Sequence, residues 1–344
     1  LAMAARKPYL SKSRIISAWQ CPKKLFLEKH RPDLAEVSAH TKSLFATGQQ
    51  VGRIAQALYG SARSVEIPFN RNINVMLRET TALIAGGADF PIFEATFRHA
   101  NVLVRVDVLI PEGEEWRAVE VKASTSVKDH HLLDCAIQDW VLREDGISVS
   151  SISLAHIDNR FVYRGDGQYD GLLVEVDLTE KVRAFEPTVE TLVEQARDAV
   201  TGAMPDVQVG TRCNKPYECQ FMSSCWPSDA EYPIAGLGGS KAKLGDYVAL
   251  GYTDIRDVDA ATITAETQRR IHRVTQSGEA ELLDGARQAL MALPYPRYYL
   301  DFETIAPAVP FWTDTRPYEA VPVQWSCHID DGSGDGTHQR MRHE

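Results

Sequence analysis

Two carboxylates and a lysine lie on consecutive predicted strands. Asp107 is in VRVDVLI, and Glu120 and Lys122 are in VEVKAS. Because side chains alternate along a strand, Glu120 and Lys122 share one face while Val119 and Val121 point into the core. Charges on an otherwise apolar, buried strand are costly without a partner, so a metal ion bridging Asp107 and Glu120 is expected. Magnesium fits, since it binds one or two carboxylates and leaves sites for water and phosphate.

Such an ion would support hydrolysis of a phosphodiester. A water on the metal becomes a nucleophile, the ion stabilises charge on the phosphate, and Lys122 can orient the water or offset that charge. Glu94 on the preceding strand could supply a further carboxylate. An E-x-K alone usually marks an exposed strand face. A carboxylate on the previous strand and Gln138 on the following helix make catalysis a stronger interpretation.

Six cysteines form the second candidate site. Cys213, Cys219 and Cys225 stand in C-x5-C-x5-C, and Cys21 lies in Trp-Gln-Cys-Pro. A disulfide framework is improbable in a cytoplasmic chain, which leaves metal ligation or buried thiols. Zinc sites usually use tighter C-x2-4-C pairs, so the wide spacing favours an iron–sulfur cluster, with zinc or no metal as alternatives. The isolated Cys135 and Cys327 are expected to be buried small hydrophobes.

The elements around these residues form an α/β layout with a mixed sheet. Helical stretches begin near Ser13 and end at Gly60, with a break at Pro22. The main predicted elements are strands at 91–97, 101–110 and 116–124, a helix at 130–144, strands at 150–157 and 172–178, and a long helix before the cysteine triplet. The turn-forming Pro111-Glu-Gly113 makes the second and third strands a meander.

The carboxyl-terminal part is predicted to be organised differently. Residues 236–245 are interpreted as a linker, because Gly and Lys replace apolar periodicity there. Short helices follow, then a strand in PRYYLDFETIAP. We therefore expect a first domain over 1–230, a linker and helical segment over 231–296, and an incomplete domain over 297–344. The chain begins on Leu and its last residues close no fold, so we expect a fragment.

Composition excludes several protein classes. The 344 residues carry a net charge of −10, with 44% apolar and 24% charged residues, which argues against disorder, collagen or a coiled coil. No run approaches the roughly 18 apolar residues of a membrane span, and the start has no signal-peptide core. The expected compartment is the cytoplasm. Residues 1–63 carry a charge of +8, which suits a phosphate backbone, although charge alone favours a solvated helical face.

The combination of motifs resembles RecB-type nucleases of the PD-(D/E)XK class. It is most similar to the iron–sulfur branch that includes the CRISPR-associated RecB-like exonucleases and the AddB carboxyl-terminal nuclease. The resemblance covers roughly residues 9–230 and implies a restriction-endonuclease-like core that cleaves DNA, often single-stranded or with free ends, using Mg²⁺ or Mn²⁺. By motif match it implies metal ligands at Asp107 and Glu120, a catalytic lysine at Lys122, the motif glutamine at Gln138, and a 4Fe-4S cluster on Cys21, Cys213, Cys219 and Cys225.

Two positions depart from that pattern. Many relatives carry a metal-binding His in G-x-x-x-H on the second helix, where this chain has Gly48-Gln-Gln-Val-Gly52. The aromatic residue expected four positions after the motif glutamine is Leu142, with Trp140 nearby but out of register. One metal position is therefore expected to be weaker or absent, and activity to be reduced or altered.

A second carboxylate pair occurs in Tyr-Leu-Asp301-Phe-Glu303-Thr. This segment resembles the first motif of DEDD-type 3′ to 5′ exonucleases, where a strand of a ribonuclease-H-like fold presents D-x-E to two metal ions. The later motifs of such a site are not in the chain, so residues 298–344 are predicted to be the inert beginning of that domain. Its pairing with a RecB-like domain resembles a bacterial family of unknown function.

The leading hypothesis is thus a metal-dependent deoxyribonuclease stabilised by an iron–sulfur cluster. The alternatives are a non-catalytic iron–sulfur module that binds nucleic acid, a fragment of a DEDD-type exonuclease, or a zinc protein unrelated to DNA. His130 and His131 are interpreted as a cap-region or surface pair. Trp116, Trp140 and the Tyr298-Tyr299 pair are expected to pack in the core or at an interface.

Overall fold

The computed structural model describes residues 9–333 and 341–343. Its amino-terminal part contains β1 (Leu10–Ser11), α1 (Lys12–Gln20), α2 (Pro22–His30), α3 (Ala39–Tyr59), β2 (Val65–Glu66) and α4 (Ile73–Ala85). The central part contains β3 (Ile92–His99), β4 (Val102–Glu112), β5 (Glu115–Lys122), α5 (Asp129–Glu144), β6 (Val149–Ile157), β7 (Leu173–Asp177) and α6 (Thr179–Thr201). The remainder contains α7 (Met222–Cys225), α8 (Lys241–Ala249), α9 (Glu266–Ser277), α10 (Ala286–Met291), β8 (Arg297–Ile305), β9 (Val321–Asp330) and β10 (Met341–His343).

A mixed sheet flanked by helices forms the centre of the molecule, as the sequence predicts. Its strand order is β2-β3-β4-β5-β6-β7, with β1 beside β4. The meander β3-β4-β5 is antiparallel, whereas β5 and β6 are parallel and are connected through α5. Gly113, at φ +69°, allows the tight turn between β4 and β5. This order places the two strands of the candidate site side by side in mid-sheet.

The main core lies between the sheet and the helices α1, α5 and α6. Alternate residues of β4, namely Val102, Val104 and Val106, are fully buried on the helix-facing side. Nearly every residue of α5 is buried, because this helix packs between the sheet and α6. Trp116 and Trp140 are in this core, as predicted. The position of α5 also brings its polar side chains against β5.

The segment interpreted as a linker at 236–245 is folded, so that prediction is wrong. A 3-10 turn covers Ile234–Leu237, and α8 begins after Ser240, whose hydroxyl accepts a hydrogen bond from the Lys243 amide. Leu237 and Leu244 are buried in a second apolar cluster. Gly238 and Gly239 have positive φ and form the turn before α8.

The strand with the second carboxylate pair belongs to a separate antiparallel sheet of order β10-β9-β8. The loop between β8 and β9 returns to the main sheet, where Ala308 and Val309 are buried beside Val51 of α3 and Ile157 of β6. Tyr298 and Tyr299 were expected to pack but are exposed, because no described element covers that part of β8.

Among the described residues, no helix is both long and apolar enough to cross a membrane. His130 and His131 stand in the first turn of α5, where the Lys128 amide donates a hydrogen bond to Nδ1 of His131. Both imidazoles are buried, so the surface part of their interpretation is wrong, while the cap-region part is right. Burial lowers the pKa of His131 to about 3.

Candidate active site

Strand register brings Asp107 and Glu120 together. Val108 pairs with Val119, so the next residues along β4 and β5 are Asp107 and Glu120. Oδ2 of Asp107 accepts a hydrogen bond of 2.7 Å from the Val121 amide. Burial raises the pKa of Asp107 to about 7, the charge of Glu120 adds to that effect, and the nearby lysines oppose it. The site therefore disfavours a further negative charge in the absence of an added cation.

Glu120 is at the centre of the site and is 2% exposed. Its Oε1 accepts hydrogen bonds from Nζ of Lys122 at 2.5 Å and of Lys12 at 2.9 Å. Its Oε2 accepts hydrogen bonds from Nζ of Lys12 at 2.9 Å and Nε2 of Gln138 at 2.6 Å. The structure therefore brings Asp107, Glu120, Lys122 and Gln138 together, as the motif match expects.

Two further residues in the site are absent from the sequence-based candidates. Asp134 lies one turn before Gln138 on α5, and its carboxylate is 2.6 Å from Nζ of Lys122 and 2.9 Å from Nζ of Lys12. Burial would lower the pKa of Lys12, but Asp134 and Glu120 together raise it. The four-residue spacing from Gln138 could have indicated Asp134. No sequence pattern indicated Lys12, because its position in the site depends on the pairing of β1 with β4.

Glu94 forms an ion pair with a neighbouring strand. Its carboxylate forms an ion pair with Arg105 of β4, with Oε2 3.2 Å from Nε. Burial raises the pKa of Glu94, while Arg105 and Lys12 lower it. The backbone of Glu94 has φ +58°, in the left-handed region that non-glycine residues rarely adopt. Glu94 thus lies within electrostatic range of the site but is bonded to an arginine.

Gly48 and Gly52 lie on an open face of α3. A Cβ atom added at either glycine would meet nothing within 4 Å. Leu142 is fully buried in the main core. Trp140 packs edge-on against His99 with ring centroids 5.0 Å apart.

Four of the cysteines line one small cavity: Cys21, Cys213, Cys219 and Cys225. Cys21 caps α2, and the amide of Cys219 donates a 2.8 Å hydrogen bond to the carbonyl of Cys213. Nε2 of Gln20 donates hydrogen bonds of 2.7 Å to the carbonyls of Arg212 and Tyr217, which ties α1 to the cysteine loop. Burial raises the pKa of Cys219 to about 11.

All six thiols are free. Across residues 9–333 and 341–343, no group of three or more His, Cys, Asp or Glu side chains has the arrangement to hold a metal ion. Cys135 is buried in the main core, as expected, whereas Cys327 on β9 is half-buried. The structure thus groups the four predicted cluster ligands around one cavity as separate thiols.

The second carboxylate pair has no comparable surroundings. Asp301 and Glu303 are exposed on β8, opposite Ser326 and Gln324 of β9. Within the part of the chain that the structure describes, neither carboxylate forms an ion pair.

The basic amino-terminal region has several distinct environments. Lys12 enters the carboxylate site, and Lys23 and Lys24 line the cysteine cavity, where Nζ of Lys24 donates to Oε1 of Gln20 at 2.8 Å. Lys29 is exposed. Arg6 and Lys7, the first two basic residues of the predicted patch, lie outside the described residues. The region is therefore more than a solvated helical face.

Comparison with known proteins assigns no function to this site. A family model described as a domain of unknown function (DUF2779) matches residues 298–344, which include Asp301 and Glu303. No curated protein matches the chain. A solved structure titled "Crystal structure of SSO0001" aligns at a TM-score of 0.33 and 15% identity, over 67% of this chain and 91% of that one. A TM-score this low assigns no fold.

Proposed function

We propose that this chain is a metal-dependent deoxyribonuclease with a restriction-endonuclease-like core, acting in the cytoplasm on DNA that is single-stranded or has free ends. The observation that carries the proposal is the cluster of Asp107, Glu120, Lys122 and Gln138 on adjoining elements, in which Glu120 and Gln138 are buried. Three of these residues bond directly to one another through Glu120. The arrangement is the one that the resemblance to PD-(D/E)XK nucleases implies.

The residues present fit a divalent cation. Asp107 and Glu120 supply two carboxylates, the number with which Mg²⁺ is commonly bound, so the pair needs no third protein carboxylate. Lys12 and Lys122 are the lysines that contact Glu120 among the described residues. Burial raises the pKa of Asp107, and the neighbouring charge of Glu120 raises it further. Oε1 of Gln138 is a buried acceptor with no hydrogen-bond partner among the described residues, which suits a site that a bound ion and its waters complete. Asp107 and Glu120 would hold the ion.

The chain's own side chains have separable roles in this proposal. A bound Mg²⁺ or Mn²⁺ would supply an activated water and would stabilise charge on the phosphate. Lys122 lies 2.5 Å from Oε1 of Glu120, where it can orient that water or offset negative charge. Gln138 fixes Glu120 from the helix side through its amide. Because the site is buried, these contacts act at a low effective dielectric.

We further infer that the cysteine cavity holds a 4Fe-4S cluster. Four thiols surround one cavity, and a cluster is bound by four thiolates spread more widely than the ligands of a single ion. Cluster binding would join α2 to a loop almost two hundred residues later in the chain, and its free energy would add to that of folding. Its role in this proposal is structural rather than redox.

The function is tested by cleavage of end-labelled single-stranded DNA with protein purified under anaerobic conditions. We expect products with Mg²⁺ or Mn²⁺, none with a chelator, and none from Glu120→Gln or Lys122→Met with intact folds. Absence of cleavage by the wild-type protein with either metal would contradict the proposal, as would full activity of Glu120→Gln.

One observation favours a second candidate, a nucleic-acid-binding module without catalysis. Lys12, Lys122 and Gln138 already occupy both oxygens of Glu120, and Gly52 leaves open the position of the familial histidine. This reading predicts that wild-type protein and Glu120→Gln bind DNA equally and that neither cleaves it. The same assay with a binding measurement therefore separates the two candidates.

A further inference from the structure

Lys12 is placed in the candidate site by the backbone that precedes it. Leu10 and Ser11 form β1, which pairs in parallel with Val102 and Leu103 at the start of β4. Lys12 then begins α1, and its side chain points toward β5 and is 17% exposed. A lysine from the amino-terminal segment thus reaches a glutamate more than a hundred residues later in the chain.

Glu120 has no spare acceptor position in this arrangement. A carboxylate has two oxygens and about four lone-pair positions. Two of these receive Nζ of Lys12, one receives Nζ of Lys122, and one receives the amide of Gln138. A metal ion can bind Glu120 only if one of these donors leaves.

Lys12 is the donor whose position best matches that of a metal ion. It is equidistant from the two oxygens of Glu120, at 2.9 Å, and is also 2.9 Å from Oδ1 of Asp134. One ammonium therefore bridges two carboxylates, as a divalent cation would. Gln138 is fully buried on α5, and Lys122 extends from the central strand β5, whereas Lys12 follows a strand of only two residues.

We propose that Lys12 is a built-in cation that holds Glu120 and Asp134 together in the metal-free protein and competes with the divalent metal for them. This inference depends on the metal centre of the proposed function. When the metal binds, Lys12 leaves Glu120, and Asp134 becomes available as a third carboxylate. The lysine thereby sets the metal concentration at which the site fills, and without it two buried carboxylates would lose a counter-charge.

The test is a titration with Mn²⁺, in which the electron paramagnetic resonance signal of free Mn²⁺ measures how much of the ion is bound. We expect Lys12→Met to bind Mn²⁺ at least about tenfold more tightly than the wild type, because a unit positive charge is removed at contact distance. Lys12→Arg should bind it more weakly, since a guanidinium holds carboxylates through two hydrogen bonds. Adding Asp134→Asn to Lys12→Met should reverse part of the gain.

Lys29→Met is the matched control, because it removes the same charge from the same basic region at an exposed position. It should bind Mn²⁺ like the wild type. If Lys12→Met does not fold, Lys12→Arg still tests the proposal through the opposite sign of its effect. Equal Mn²⁺ affinity of wild type, Lys12→Met and Lys12→Arg would overturn the proposed role of Lys12 and would leave the proposed metal centre standing. Absence of Mn²⁺ binding in every protein would overturn the metal centre as well.

Discussion

Two carboxylate pairs of this molecule, Asp107 with Glu120 and Asp301 with Glu303, both lie on strands but have opposite surroundings. Glu120 on β5 is buried and accepts hydrogen bonds from two lysines and a glutamine, with Asp107 beside it on β4. Asp301 and Glu303 on β8 are exposed in a separate sheet. Strand alternation predicts which side chains share a face, but only the packing around the strand gives a carboxylate the environment of a reactive site.

The largest expected difference between the two pairs is in catalysis. Glu120→Gln should lower the rate of Mg²⁺-dependent DNA cleavage by about 10³-fold, since loss of metal-ion stabilisation costs several kcal/mol in the transition state. Glu303→Gln, the matched variant on β8, should retain the wild-type rate. Rates measured on one end-labelled oligonucleotide compare them, and equal rates for the two variants would remove the distinction.

The cysteines give a second contrast, between the cavity lined by Cys219 and the sheet that contains β8 and β9. Cys219→Ala should lose the bound iron and sulfide and lower the free energy of unfolding by about 3 kcal/mol or more, because ligand binding to the folded state adds to its stability. Cys327→Ala on β9 should keep the wild-type iron and sulfide content and the wild-type free energy of unfolding. Iron analysis and thermal unfolding after anaerobic purification provide the readout. Zinc in place of iron, or a Cys219→Ala protein with full iron content, would refute the cluster.

The effect of pH should distinguish Asp107 from Asp301. The pKa of Asp107 rises from 3.8 to about 7 on folding, so the stability that this group contributes is complete below pH 4 and is lost as the pH rises through 7. Metal-free Asp107→Asn should avoid this loss. Its free energy of unfolding should therefore rise relative to the wild type, by up to about 1.4 kcal/mol per pH unit over that range.

Chemical denaturation between pH 5 and 8 in the presence of a chelator measures this difference. Asp301→Asn is the control, and its curve should follow that of the wild type at each pH. If the free energies of unfolding of wild type and Asp107→Asn change with pH in parallel, folding does not raise the pKa of Asp107.

The smallest effects concern the apolar neighbours of each pair. Phe302 is 53% exposed beside Asp301, so Phe302→Ser should change the free energy of unfolding by only about 0.5 kcal/mol. Val106 is fully buried beside Asp107, and Val106→Ser should cost several times more, because it leaves a cavity and a buried hydroxyl. Urea titrations compare the two. Similar losses of unfolding free energy in the two variants would mean that Phe302 on β8 is packed against other side chains rather than exposed.

The sequence predicts the parts of the fold and site that depend on local patterns. The meander of β3, β4 and β5, its turn at Gly113 and the helix α5 follow from alternation, turn residues and helical spacing. These elements are sufficient to bring Asp107, Glu120 and Gln138 together. Lys12 could not be found this way, because it reaches the site only through the pairing of β1 with β4.

Other differences have equally specific causes. The glycines of 236–245 suggested a linker, but the burial of Leu237 and Leu244 against Trp226 makes that segment part of a small core. His130 and His131 were expected to form a cap-region or surface pair, and they stand in the cap region of α5 with both side chains buried. In each case, contacts between distant parts of the chain overrode the local signal.

Locating Mn²⁺ in a crystal of the metal-loaded protein through its anomalous scattering tests the proposed metal site most directly. We predict a peak within coordination distance of both Asp107 and Glu120, with the Lys12 ammonium displaced from Glu120. A Mn²⁺ ion bound elsewhere at saturating concentration, with Lys12 still bridging Glu120 and Asp134, would contradict the account.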